Sequence, residues 1–147
     1  MTDTGDKIDG LEQMLCFDLY AANHAFGRFY KPLLDPMGLT YPQYLVLLVL
    51  WSQGGQSVGQ IGQRLGLSSN TLTPVIKRLA AAGRVTRSRD QNDERRVLVT
   101  LTDAGAALEA DAAAIPMCVA RNTGMAVDEI RDLQTKLRQI SGALNTR

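Results

Sequence analysis

At 147 residues, 45% hydrophobic and 21% charged, the chain is long enough for one domain and apolar enough to bury a core, which excludes a disordered polymer. Its longest apolar run, Tyr44 to Trp51, falls far short of the roughly 18 to 20 residues of a membrane span, and an N-terminus bearing Asp3, Asp6 and Asp9 lacks the apolar stretch of a secretory signal, so a cytoplasmic location is expected. The net charge of +1 is unevenly spread: residues 77 to 96 carry seven Lys or Arg against three acids, a local +4, which suits an anionic partner such as DNA or simply a solvated surface.

Residues 8 to 30 read as an amphipathic helix, with Ile8, Leu11, Leu15, Leu19, Ala22, Phe26 and Phe29 at steps of three or four. Pro32, Pro36 and Gly38 punctuate the stretch after it. A second helix begins near Thr40 to Pro42; its apolar run also fits a buried strand, but its length favours helix. A turn at Gln53 to Gln56 leads to Ser57, an N-cap for a short helix carrying Ile61 and Leu65, which stops at Gly66. Ser68 or Ser69 caps the next helix, with Leu72, Val75, Ile76 and Leu79 inward and Gly83 at its end. Pro74 lies inside it and removes a backbone hydrogen bond, a cost that nothing in the sequence offsets.

Val85 to Ser88 and Val97 to Leu101 form two strands joined by the charged loop Arg89 to Arg96. Thr102 and Asp103 then cap a helix reaching about Ile115, Pro116 interrupts or restarts it, and a final helix with a poor N-cap runs from about Val127 to Leu144. The expected fold is therefore mostly α with a small β-wing: a helix-turn-helix and wing over residues 53–102, flanked by helices at 8–52 and 103–147, in one domain. The flanking helices have apolar faces that need covering, and a second copy of the chain is the simplest cover.

For DNA reading, Ser68, Ser69, Asn70, Thr71 and Thr73 offer small polar groups at a helix start, where backbone N–H groups also favour phosphate. Lys77, Arg78 and Arg87 add charge for the backbone. An ordinary capped surface helix would carry the same residues.

Cys16 and Cys118 are the two cysteines, and with His24 they make no metal cluster. Core packing, a free thiol and redox chemistry all remain open. Tyr20, one turn beyond Cys16, can donate to a thiolate, whereas Asp18 would oppose ionisation if it faced the sulfur. His24 reads as a surface or interface residue. There is no Ser/His/Asp set and no phosphate-cradling glycine loop, and no cofactor is expected.

Two stretches carry a resemblance. Leu-Ser-Ser-Asn-Thr-Leu-Thr-Pro-Val-Ile-Lys-Arg-Leu (67–79) and Asp93-Glu94-Arg95-Arg96-Val97-Leu98-Val99 resemble the recognition helix and wing of MarR-family regulators. Leu-Cys-Phe-Asp-Leu-Tyr (15–20), the stretch from Tyr30 to Leu45 and Leu-Val-Leu-Trp (48–51) resemble the organic hydroperoxide resistance regulators of that family. The resemblance implies a homodimeric, non-enzymatic repressor that binds palindromic operator DNA. In it Arg95 would enter the minor groove, oriented by Asp93, and Cys16 would sense organic hydroperoxide. Tyr30 and Tyr41 would contact that cysteine from the other subunit, with Tyr20 nearby. Cys118 matches the resolving cysteine of the two-cysteine branch. The competing readings are a regulator released by a small aromatic ligand, a thiol peroxidase, and a structural DNA-binding protein.

Overall fold

The computed structural model describes Gly10 and residues 13–146. The chain divides into two units, one reaching Ala106 and the other starting at Ala107. Among the described residues no single helix is long and apolar enough to cross a membrane.

The first unit opens with α1, Leu15–Leu34. The expected contributions of Ile8 and Leu11 lie outside the described residues. Pro32 does not end α1, as its position suggested. The residue whose carbonyl loses its bond there, Arg28, is exposed, so water can take the bond, and extending the helix buries Leu34. A 3-10 turn at Asp35–Met37 comes next, with Pro36 in its first turn. Helix α2, Tyr41–Gln53, is bent by 67° from the preceding helical segment. We call this bend the elbow.

Helix α2 starts on a reciprocal cap: the Gln43 N–H donates to the Thr40 hydroxyl (3.4 Å) and the Thr40 N–H to Gln43 Oε1 (2.9 Å). Its Tyr44, Val46, Leu47 and Leu50 are buried, which explains why its sequence is apolar around most of its circumference.

Strand β1 (Gln56–Ser57) occupies part of the expected turn. It leads into α3 (Val58–Leu65), where the Gln60 N–H donates to Ser57 Oγ (3.1 Å) and the Ser57 N–H to Gln60 Oε1 (2.9 Å). Helix α4, Ser69–Ala81, begins at Ser68, whose Oγ accepts from the Thr71 N–H at 3.3 Å. The turn between α3 and α4 is tight enough that a Cβ on Gly62 would lie 2.6 Å from the Leu67 carbonyl oxygen. Pro74 is accommodated because its ring and the Asn70 it deprives of a donor are both exposed, leaving the Asn70 carbonyl to water.

Strands β2 (Val85–Arg89) and β3 (Val97–Leu101) make the wing, and β1 joins them in an antiparallel sheet ordered β1-β3-β2. The register pairs Val85 with Leu101 and Ser57 with Leu98. The unit's core brings together Leu47, Leu50, Ile61, Leu72, Ile76 and Val99.

Helix α5, Asp103–Ala112, starts at Thr102, whose Oγ1 accepts from the Gly105 N–H (3.1 Å) and donates to the Gly83 carbonyl (2.6 Å). It stops three residues short of the expected Ile115. Pro116 restarts the chain as a separate helix, α6, Ile115–Asn122, in whose first turn its missing N–H costs nothing. Helix α7 is Val127–Asn145. Ala126 has no capping oxygen, but the Glu129 carboxylate reaches back to accept the Ala126 N–H at 2.8 Å. No residue of α7 is buried, so Ile130, Leu133, Leu137, Ile140 and Leu144 form an apolar face that remains partly or fully open in the single chain.

Candidate functional site

The helix-turn-helix and wing enclose a groove of about 500 Å3. Ser69 and Thr73 of α4 line it on one side, Gln60 and Gln63 of α3 on another, and Arg95 and Arg96 come from the wing. The remaining candidates surround it: Ser68, Asn70, Thr71, Lys77 and Arg78 are exposed along α4, and Arg87 is exposed on β2. Several polar side chains at the start of α4 are held by local bonds. Thr73 Oγ1 donates to the Ser69 carbonyl at 2.7 Å, and the Ser68 and Thr71 hydroxyls lie 3.1 Å apart. These bonds fix rotamers before any ligand arrives.

The wing tip is also ordered from within. The Asp90 N–H donates to the Arg96 carbonyl (2.8 Å) and closes the loop. Asp93 Oδ1 accepts the Arg95 N–H at 3.1 Å. Asp93 thus orients Arg95 through the backbone, and the guanidinium meets no carboxylate within ion-pair distance among the described residues. An exposed cation at the mouth of a polar groove attracts anions. Gln60, Gln63 and Arg96 were not singled out in the sequence. Gln60 was legible as the partner of Ser57 in a Ser-x-x-Gln cap, but Gln63 carries no local signal.

Cys16 is an exposed free thiol in the first turn of α1. Leu15, Phe17 and Tyr20 around it are exposed as well. Tyr20 and His24 meet in a tilted ring contact with centroids 4.2 Å apart, and His24 Nδ1 lies 2.9 Å from the Tyr20 carbonyl oxygen, to which it can donate. Cys118 is a half-buried free thiol in the second unit. The Asn122 amide donates to its carbonyl at 2.8 Å and approaches its Sγ at 3.9 Å.

The elbow gathers Tyr30 and Tyr41 with centroids 4.9 Å apart, and Tyr44 lies 6.0 Å from Tyr30. Burial, then the neighbouring Tyr41 and Tyr44, push the Tyr30 hydroxyl up to about 12. Burial and then Tyr41 also raise Tyr44. Both phenols therefore remain hydrogen-bond donors at neutral pH. Tyr30 and Tyr41 border a pocket of about 220 Å3 with Leu34 and Leu39 on its apolar side. Cys16 and Tyr30 sit on the same helix fourteen positions apart, about 21 Å at 1.5 Å per residue. One chain thus keeps its Cys16 thiol away from its own tyrosine pair. Among the described residues no His, Cys, Asp and Glu cluster could hold a metal ion.

Comparisons with known proteins show which chains this one is similar to. The family described as transcriptional regulator SarA/Rot matches residues 28–111. The chain is 51% identical to the HTH-type transcriptional regulator TtmR of Methylorubrum extorquens, over all of this chain and 76% of that relative. It is 42% identical to the organic hydroperoxide resistance transcriptional regulator of Bacillus subtilis, over 86% of each. Among solved structures, reduced AbfR bound to DNA superposes with a TM-score of 0.78 at 42% identity, covering 91% of this chain and 94% of that one. A disulfide-formed AbfR superposes with a TM-score of 0.66 at 41% identity, covering 88% and 91%.

Proposed function

Because the chain belongs to the MarR and SarA/Rot winged-helix transcriptional regulators, in the branch of the organic hydroperoxide regulators, we propose that it is a peroxide-released repressor. The relatives are regulators and not enzymes, which removes the thiol peroxidase reading. The reduced homodimer binds palindromic operator DNA in the cytoplasm, and oxidation of Cys16 releases it.

One observation carries the sensing half of this reading. Cys16 is exposed beside Leu15, Phe17 and Tyr20, about 21 Å along α1 from a tyrosine pair that borders a pocket, so a Cys16 thiol meets that pair only when a second chain brings it there. The open apolar faces of α1 and α7 supply the surface for such a dimer. Residues 8–52 and 103–147 then serve sensing and dimerisation, and residues 53–102 read DNA.

On DNA, α4 enters a major groove about 12 Å wide. Ser69, Asn70, Thr71 and Thr73 face base edges, while Ser68 and the helix start meet phosphate. Lys77, Arg78 and Arg87 contact the backbone. Arg95, with its backbone held by Asp93, reaches the adjoining minor groove. Two such heads read half-sites about 34–36 Å apart.

The Cys16 thiolate attacks the hydroperoxide oxygen. An S–O bond forms, the O–O bond breaks, and the departing alkoxide takes a proton to leave as an alcohol. The Tyr30 and Tyr41 hydroxyls of the partner subunit, with Tyr20 beside the thiol, donate to the oxygen that leaves. The sulfenic acid then condenses with the Cys118 thiol of the other chain, forming S–S and releasing water. The disulfide seen in AbfR supports this second step. Drawing the two helices together changes the separation of the reading heads.

The test is a gel shift on the intergenic duplex flanking the gene, with reduced protein, then cumene hydroperoxide, then dithiothreitol. Binding is lost and regained in the wild type, and Cys16→Ser stays bound throughout. A Cys16→Ser protein that still leaves DNA on peroxide addition sinks the proposal. Release by a small aromatic ligand has less support, since the elbow pocket of about 220 Å3 is below the ~300 Å3 of ordinary ligand sites.

A further inference from the structure

Arg84 occupies a junction that neither DNA reading nor thiol chemistry explains. It follows Gly83 at the end of α4 and precedes β2, so it connects the recognition helix to the wing. Its N–H donates to the Leu79 carbonyl of α4 at 2.9 Å, and its own carbonyl accepts from the Thr102 N–H at 3.1 Å. Gly105 of α5 packs against that carbonyl so closely that a Cβ there would overlap it. The backbone of one residue therefore binds the recognition helix, the wing and the start of α5 into one piece.

Its side chain leaves that piece. Arg84 Nη2 donates to the Met37 carbonyl at 3.3 Å, 47 positions back in the chain, in the 3-10 turn of the elbow. A carbonyl at the end of a helical turn lacks a helical donor, and the guanidinium supplies one. Met37 and Leu39, on either side of Gly38, are buried, so the elbow backbone cannot shift there without moving packed side chains. The same turn carries Asp35, and with Leu34 and Leu39 it helps to form the pocket beside Tyr30 and Tyr41. A second strap runs parallel: Trp51 Nε1 donates to the Gly105 carbonyl at 3.0 Å, and the Trp51 ring lies 6.3 Å from Tyr44.

We infer that Arg84 is the positioning residue that couples the tyrosine elbow to the DNA-reading head. At 3.3 Å the bond is near the outer limit for N–H to oxygen, so an elbow displacement of about 0.5 Å weakens it sharply. A change at the elbow is then felt at the root of α4 and the wing, and DNA held by those elements stabilises the elbow in return, because coupling between two sites is reciprocal. The use of this coupling in peroxide release rests on the function proposed above; the coupling itself does not.

The experiment uses the full chain, reduced, with and without the intergenic duplex, and reads hydrogen exchange at the elbow. The Gly38 and Leu39 amides are suitable probes, since they donate to Asp35 (2.9 Å) and Leu34 (3.3 Å) within the elbow. In the wild type, DNA slows their exchange about fivefold or more. Arg84→Met keeps the aliphatic stem and loses most of that DNA-dependent protection; Arg84→Lys, which keeps a donor, retains more of it. Arg84→Met protected as fully as the wild type, or elbow amides blind to DNA in the wild type, overturns the inference. A second arm compares operator Kd before and after peroxide, with Cys16 oxidation followed by mass spectrometry. The oxidised-to-reduced ratio falls about tenfold in Arg84→Met at equal Cys16 oxidation, the scale of one charge-assisted hydrogen bond. A wild type that stays on DNA with Cys16 oxidised removes the peroxide reading alone, and the exchange arm still decides the role of Arg84.

Discussion

Replacing Arg95 by alanine isolates the wing. The side chain is exposed at the mouth of the groove, its backbone is fixed by Asp93, and no ion pair among the described residues has to be broken to free it. Its loss should therefore act on DNA binding and leave folding alone. A direct contact is worth ~1–3 kcal/mol, so two wings per duplex imply a loss of about 2–6 kcal/mol, at least roughly 30-fold in Kd. The salt dependence is the sharper readout. Each cation that displaces a counterion adds about 0.9 to the slope of log K against log salt, so removing one from each protomer lowers the slope by about 1.8. Fluorescence anisotropy over a salt series measures both quantities. Asp93→Ala loses only the 3.1 Å bond that shapes the loop and should cost about 0.5–1.5 kcal/mol per protomer. Asp93→Asn, which keeps an acceptor oxygen, should stay near wild type. An Arg95→Ala protein with unchanged Kd and unchanged slope would refute the wing assignment.

Tyr30→Phe should slow Cys16 oxidation about tenfold and leave reduced DNA binding intact; unchanged stopped-flow rates would remove the tyrosine from the sensing site. The raised Tyr30 value also has a stability consequence. The folded state holds the phenol proton between pH 10 and about 12 while the unfolded chain releases it, so the contribution is complete below pH 10 and is lost as pH rises toward 12. Urea midpoints at about pH 9 and about pH 11 should fall less for Tyr30→Phe than for the wild type. Gly62→Ala forces a Cβ to 2.6 Å from the Leu67 carbonyl oxygen and should cost about 1–3 kcal/mol in urea unfolding; a neutral substitution would mean that the α3–α4 turn relaxes freely. Leu133→Glu places a charge on the open apolar face of α7 and should yield a folded monomer by sedimentation velocity, whereas an unchanged dimer would remove α7 from the interface.

The helix-turn-helix and wing were more legible than the tyrosine elbow because their signals are local. Ser57 with Gln60 and Ser68 with Thr71 are caps whose partners lie three residues away, and Gly66 and Gly83 end helices by backbone conformation. The tyrosine elbow depends on contacts between distant residues. Nothing near Tyr30 in sequence announces Tyr41 at 4.9 Å, or the burial that raises its hydroxyl.

Local chemistry written in the sequence thus determined where helices start, where the wing turns and which side chains crowd the head of α4. Tertiary structure decided what could not be read locally. Pro32 and Pro74 sit inside helices because the carbonyls they deprive belong to exposed residues. Gln56–Ser57 became a strand because β3 offered it an edge. Met37 acquired its donor from Arg84, 47 positions away. In each case the deciding partner, water or a remote backbone group, is set by where the folded chain places that residue, and a reading confined to neighbours along the chain does not contain it.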